Sequence, residues 1–203
     1  VLKYRARLAE LLEGDARFET VAAMGRVARE RLNDPYRAID AYVEALRIRG
    51  DSLEVLEALL ALYRESRQSQ KAVEILERML ALCDAAEEPG RVRKLYFALG
   101  EVCRDEIKDV KRAADAFNKA LDVDYRFLQA FAALESMLGG ARQWELLEQN
   151  YHRMIQRLPK SDDTHVARMT LFKALGDFYE NVRKDKKATR QEIGRASCRE
   201  RVC

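Results

Sequence analysis

Apolar residues recur at three- and four-residue spacing along most of the chain, the period of a helix with one buried face. Val21, Ala22, Gly25 and Ala28 share such a face. A polar turn, Asn33-Asp34-Pro35, follows, and then Ala38, Ile39, Tyr42, Ala45 and Leu46 line a second face. Proline suits the first position of a helix, and an aspartate before it accepts hydrogen bonds from free backbone N–H groups. The pattern therefore predicts two amphipathic helices joined by a capped turn. A second pair carries Leu59, Leu60 and Tyr63, then Ala72, Leu76, Met79 and Leu80. A fourth pair has Leu147, Tyr151, Met154 and Ile155 on its second helix, which should stop at Pro159. A fifth opens with Leu175, Gly176 and Tyr179 and runs to Ala188.

The third pair is nearly a copy of the first. Ala23–Ile48 aligns without a gap with Ala98–Val123, 75 residues later, sharing Gly25/Gly100, Val27/Val102, Arg29/Arg104, Asp34/Asp109, Arg37/Arg112 and Ala38/Ala113. Self-similarity at a fixed period marks an array that buries its core by stacking neighbours. The positions equivalent to Gly25 are Leu60, Gly100, Glu135 and Gly176, at steps of 35, 40, 35 and 41 residues, so the unit is a double repeat. Glycine here is read as letting two helix backbones approach, against a propensity cost of about 1 kcal/mol. The extra residues fall in 84–93 and 160–166, where they lengthen a helix or form a loop. The expected organisation is 1–13 as the second helix of a truncated repeat, repeats at 15–50, 52–87, 88–126 and 127–159, and a truncated repeat at 162–190.

Leu99-Gly100 with Cys103, then Ala113, Phe117, Ala120 and Leu121, resembles the small/aromatic signature of the tetratricopeptide repeat. Leu175-Gly176 with Tyr179, and Ala38 with Tyr42 and Ala45, are similar to it as well, and the resemblance covers about residues 15–190. It implies an all-α fold: antiparallel helix pairs wound into a right-handed α-α superhelix. No Trp opens a first helix, and the closing proline appears only at Pro159. The 40-residue steps exceed the family's usual 34.

Residues 192–203, EIGRASCRERVC, lack apolar periodicity and resemble the translation of a common sequencing adapter, so they are set aside as an expected artefact. Setting them aside lowers the net charge from +3 to +2 and leaves no clustered basic stripe of the kind a nucleic-acid surface needs. It also removes Cys198 and Cys203; Cys83 and Cys103 then read as buried small hydrophobes, which favours a reducing cytoplasm. Val1 stands where an initiator methionine is expected, so the natural N-terminus is read as missing. No run of 18 apolar residues suggests a membrane span.

No constellation of catalytic, cofactor-binding or metal-ligating residues emerges, and the chain reads as non-enzymatic. His152 and His165 lack partners at metal-ligand spacing. Gly139-Gly140 reads as a helix C-cap and turn rather than a phosphate loop. Glu87-Glu88 and Asp162-Asp163 read as solvated turns or helix N-termini, and Trp144 as packing on the preceding helix. One pattern points to a ligand: Arg29, Arg64 and Arg104 each stand four residues after the marker position. The family resemblance implies a groove along the concave face of the first helices, on which these arginines form a ladder for an acidic peptide or a chain terminus. Lys94, Phe97, Glu57, Glu101 and Gln129 are candidates for the same face. The alternative is that each arginine pairs with neighbours such as Glu30, Glu65 and Asp105. The family's carboxylate clamp is not expected, because its places hold Ala22, Arg26 and Glu57.

The sequence thus predicts a scaffold that binds a protein or peptide, acidic in character, with no cofactor, nucleic acid or membrane. A regulatory arm of a larger enzyme and self-association of stacked arrays are the competing readings.

Overall fold

In a computed structural model, residues 2–180 are described. They form the helices α1 (Leu2–Leu11), α2 (Gly14–Glu30), α3 (Pro35–Ile48), α4 (Leu53–Glu65), α5 (Ser69–Leu82), α6 (Pro89–Val102), α7 (Val110–Val123), α8 (Leu128–Gly140), α9 (Trp144–Arg157) and α10 (Asp162–Phe178). A π-helical turn, Cys103–Ile107, continues α6. No strand occurs among the described residues, and none of their helices is long and apolar enough to cross a membrane. The expected helix through Ala188 and the 192–203 tail lie outside them. The chain divides into two compact units at Ala113/Ala114, within α7.

In the first unit, α2 packs along α3 and α4 along α5; of the expected stripe on the second pair, Leu59, Tyr63, Ala72, Leu76 and Met79 are buried, whereas Leu60 and Leu80 are only half-buried. Phe18, Val21, Ala22, Gly25 and Ala28 are buried on α2, against Ala38, Ile39, Tyr42, Ala45 and Leu46 on α3. Leu56, Leu59 and Leu62 of α4 and Leu76 of α5 are almost fully enclosed. On α1, Tyr4, Leu8 and Leu11 remain exposed at i, i+4 and i+7. In the second unit, Leu134 and Leu138 of α8, Leu147, Tyr151 and Met154 of α9, and Phe172 and Leu175 of α10 are buried.

Each turn between first and second helix uses the same device. Asn33, Arg67, Lys108 and Arg142 all take positive φ, between 50 and 65°, and each is followed directly by the N-cap of the next helix. A left-handed residue ends a helix sharply, and only the absence of Cβ would relieve its strain. The odd turns are one residue longer. The N–H of Asp34 bonds the carbonyl of Ala28, and that of Asp109 the carbonyl of Cys103, six residues back. Gln68 and Gln143 instead bond Tyr63 and Leu138, five back. The π turn at Cys103–Ile107 is that inserted residue, absorbed within the helix.

Two expectations are corrected. Gly139 and Gly140 belong to α8; the left-handed cap residue is Arg142. The absence of a side chain at Gly25 makes room for the ring of Tyr42 rather than for a second backbone: an added Cβ would stand 2.7 Å from its Cε1. Trp144 also meets the following helix, its ring centroid 6.3 Å from that of Phe178. The extra residues take both available forms. Residues 83–88 make a loop before α6, whereas α10 extends back to Asp162 and runs for 17 residues.

The caps also alternate. Asp34 and Asp109 accept from the N–H of Arg37 and Arg112, each at 3.0 Å, but Gln68 and Gln143 cap nothing with their side chains. Replacing Gln143 by aspartate should therefore raise stability by about 1 kcal/mol, read as a higher urea midpoint at constant m. No gain would show that the α9 N-terminus is already satisfied by solvent.

Candidate functional site

The first helices of the first unit, α2, α4 and α6, present a surface of alternating charge. Arg26 of α2 reaches Glu54 of α4 at 2.8 Å, and Arg29 reaches Glu65 at 3.0 Å. From the other side, Arg91 of α6 donates to Glu57 at 2.5 Å. The three acids of α4 are thus each engaged by an arginine from a neighbouring first helix. All these groups are substantially solvated, so each pair adds at most a few tenths of a kcal/mol and chiefly fixes where the side chains point.

The three arginines of the proposed ladder have different surroundings. Arg29 is held by Glu65. Arg104 is gripped by its neighbour Asp105 through two bonds of 2.7 Å, from Nε and Nη2. That bidentate bond holds the Asp105 carboxyl below the usual carboxylate range, with the charges of Arg104, Lys108 and Arg64 acting in the same direction. Arg64 is exposed and, among the described residues, makes no hydrogen bond or ion pair. It adds to the positive field on Asp105 without bonding it.

Of the other candidates, Lys94 is exposed on α6 and likewise makes no hydrogen bond or ion pair among the described residues. Phe97 and Glu101 are half-buried on the same helix, and Glu57 is committed to Arg91. Gln129 is exposed near the start of α8, in the second unit. The structure therefore brings Arg29, Arg64, Arg104, Lys94, Phe97, Glu57 and Glu101 onto the first helices of one unit and leaves Gln129 in the other. Arg91 and Glu54 were not visible as site residues from the sequence. The available signal was opposite charge about one repeat apart, 28 residues for Arg26–Glu54 and 34 for Glu57–Arg91.

Among the described residues no group of three or more His, Cys, Asp or Glu side chains is placed to hold a metal ion. Cys103 is buried and Cys83 half-buried, and burial pushes both thiols up, away from the reactive thiolate form.

Comparison with family models and with curated protein sequences gives no match. Solved structures do match in fold. The crystal structure of MamA superposes with a TM-score of 0.52 at 18% identity, over 88% of this chain and 89% of that one. MamA from Desulfovibrio magneticus RS-1, residues 41 to its end, gives 0.50 at 21% identity, over 77% and 82%. A tetratricopeptide repeat protein from Parabacteroides merdae gives 0.51 at 17%, over 91% of this chain and 63% of that one. The fold of this chain is that of the tetratricopeptide helical arrays.

Proposed function

We propose that this tetratricopeptide-fold chain is a non-catalytic scaffold that holds an acidic segment of a partner protein against the first-helix surface of its first unit. The observation that carries the reading is the pair of exposed cations, Arg64 and Lys94, that make no hydrogen bond or ion pair among the described residues, whereas Arg26, Arg29 and Arg91 are each held by an acid of α4. A carboxylate approaching α4 and α6 finds donors at Arg64 and Lys94 without first breaking an intramolecular pair. Arg29 and Arg104 already hold acids and would contribute direction and field more than new bonds.

The test uses a fluorescein-labelled dodecapeptide of glutamate and aspartate with two phenylalanines, beside its lysine counterpart. Joint charge reversal, Arg64→Glu with Lys94→Glu, should weaken the acidic peptide about tenfold, roughly 1.4 kcal/mol, with melting unchanged. Arg104→Ala should change affinity less than about twofold, because Asp105 already occupies its donors. Equal binding of both peptides, or insensitivity to the double reversal, would remove this surface from the function. Sedimentation equilibrium at the same concentrations controls for self-association through the exposed α1 stripe.

A further inference from the structure

A cleft of about 450 Å³ opens in the first unit between α1 and α3, floored by α2. Its apolar lining is mostly small, with Ala6 and Ala9 from α1, Val21 and Ala28 from α2 and Ala41 from α3, beside one larger side chain, Met24 of α2. The internal duplication differs at two of these places. Tyr96 stands 75 residues after Val21, and Cys103 after Ala28, so the second copy carries larger side chains at both places.

The rim is acidic. Arg17 is paired with Glu44 at 3.0 Å, Arg47 also reaches Glu44 at 3.2 Å, and Arg37 turns away to Asp34 at 3.1 Å. Glu10 and Asp40 remain exposed, with no hydrogen bond or ion pair among the described residues. Here too the second copy differs. Lys119 follows Asp115 by one turn and pairs with it at 2.9 Å. In the first copy the equivalent positions hold Asp40 and Glu44, two acids. Asp40 and Glu44 also border a second cleft, of about 590 Å³ between α3 and α5, together with Glu74. The Tyr63 phenol in that cleft is raised first by burial and then by the charges of Glu74 and Asp40. Lys71 lies over the Tyr63 ring, 5.4 Å from its centroid, rather than on either carboxylate.

We infer that the α1–α3 cleft is a second docking site, taking a partner segment that presents a leucine- or methionine-sized side chain beside a lysine or arginine. The apolar anchor fills the alanine-lined space, and the cation supplies to Asp40 and Glu10 the charge that Lys119 supplies to Asp115 in the other copy. Cleft volume lies within the range of sites that enclose a ligand group. Complementary charge then fixes which amphipathic segment is accepted. This site lies on α1, α2 and α3 and takes the opposite charge from the first-helix surface, so the two proposals stand or fall separately.

The probe is a labelled 14-residue amphipathic peptide with leucines on one helical face and lysines on the other, compared by anisotropy with its leucine/glutamate isomer. The protein carries a net charge of +3, so general electrostatics oppose the lysine peptide, and its binding reports the local field. The lysine form should bind at least about tenfold tighter than the glutamate form. Asp40→Lys, an exposed change expected to leave the melt intact, should erase that preference. Ala41→Leu should weaken both peptides by filling the space, and Arg64→Glu should change neither. Equal binding of the two peptides, or a lysine-peptide affinity unmoved by Asp40→Lys, would overturn the assignment whether or not Ala41→Leu folds.

Discussion

Replacing Asn118 by alanine is expected to destabilise the second unit by about 2 kcal/mol, because it strands the buried Asn150 carbonyl and takes one of several acceptors from a largely buried guanidinium. Asn118 and Asn150 are each 5% exposed. The Asn118 amide donates to Asn150 Oδ1 at 2.6 Å and to the Ala114 carbonyl at 2.9 Å, while Asn150 donates to the Leu146 carbonyl at 2.7 Å. Arg157 donates to Asn118 Oδ1 at 3.0 Å and to Asp122 at 2.8 Å. Its side chain is only 12% exposed, and its Nη1 already has no partner. Alanine at 118 leaves Asn150 Oδ1 without a donor and takes an acceptor from a largely buried guanidinium. The stranded oxygen carries a desolvation penalty of about 1–3 kcal/mol, whereas Arg157 Nη2 keeps Asp122 at 2.6 Å and the Asn118 backbone carbonyl at 3.2 Å. Urea unfolding should show a lower midpoint at unchanged m. Asn118→Leu with Asn150→Leu should recover much of the loss, because removing both partners strands less than removing one. A single-mutant cost below about 0.5 kcal/mol would mean that water reaches the pair.

This network was not legible in the sequence, and the reason is physical. Asn118 and Asn150 lie on faces whose periodic residues are apolar, and a polar side chain at one such position carries no sign of its partner 32 residues away. The fold was legible because it depends on period and turn chemistry alone. Ala38, Tyr42 and Ala45 mark their buried face, Asp34 its cap, and the gap-free match to Ala98–Val123 the array. The ladder register was readable too, since it needs only counting. Which arginine stays free was not. Arg29 and Arg104 differ from Arg64 in which carboxylate lies within reach, a matter of helix packing in one case and of an adjacent residue in the other. The α1–α3 cleft was equally hidden, because such a space appears only when three helices are set side by side.

Introducing leucine at Gly25 should cost about 3 kcal/mol or more, and the same change made together with Tyr42→Leu should cost much less. Odd and even pairs meet this crossing differently. At Gly25 the space is taken by the Tyr42 ring, whose Cε1, Cδ1 and Cζ all stand within 2.9 Å of where a Cβ would be. Tyr42 is itself 6% exposed, so its ring has nowhere open to swing. In the second pair the marker is Leu60, and the residue nine places after the left-handed turn, Tyr42's position, is Leu76. In the fourth pair the marker is Glu135 and that residue is Tyr151, whose hydroxyl donates to the Glu135 carboxylate. Large faces small, medium accompanies medium, and acid takes the phenol. Overpacking a filled core typically costs about 1–3 kcal/mol, and a leucine set against an enclosed ring belongs at the upper end. Removing the ring restores the space, so a double-mutant cycle should show coupling of about 2 kcal/mol. Additive effects would mean that Gly25 serves helix packing elsewhere, and that the alternation of glycine with larger residues has a cause other than the facing side chain.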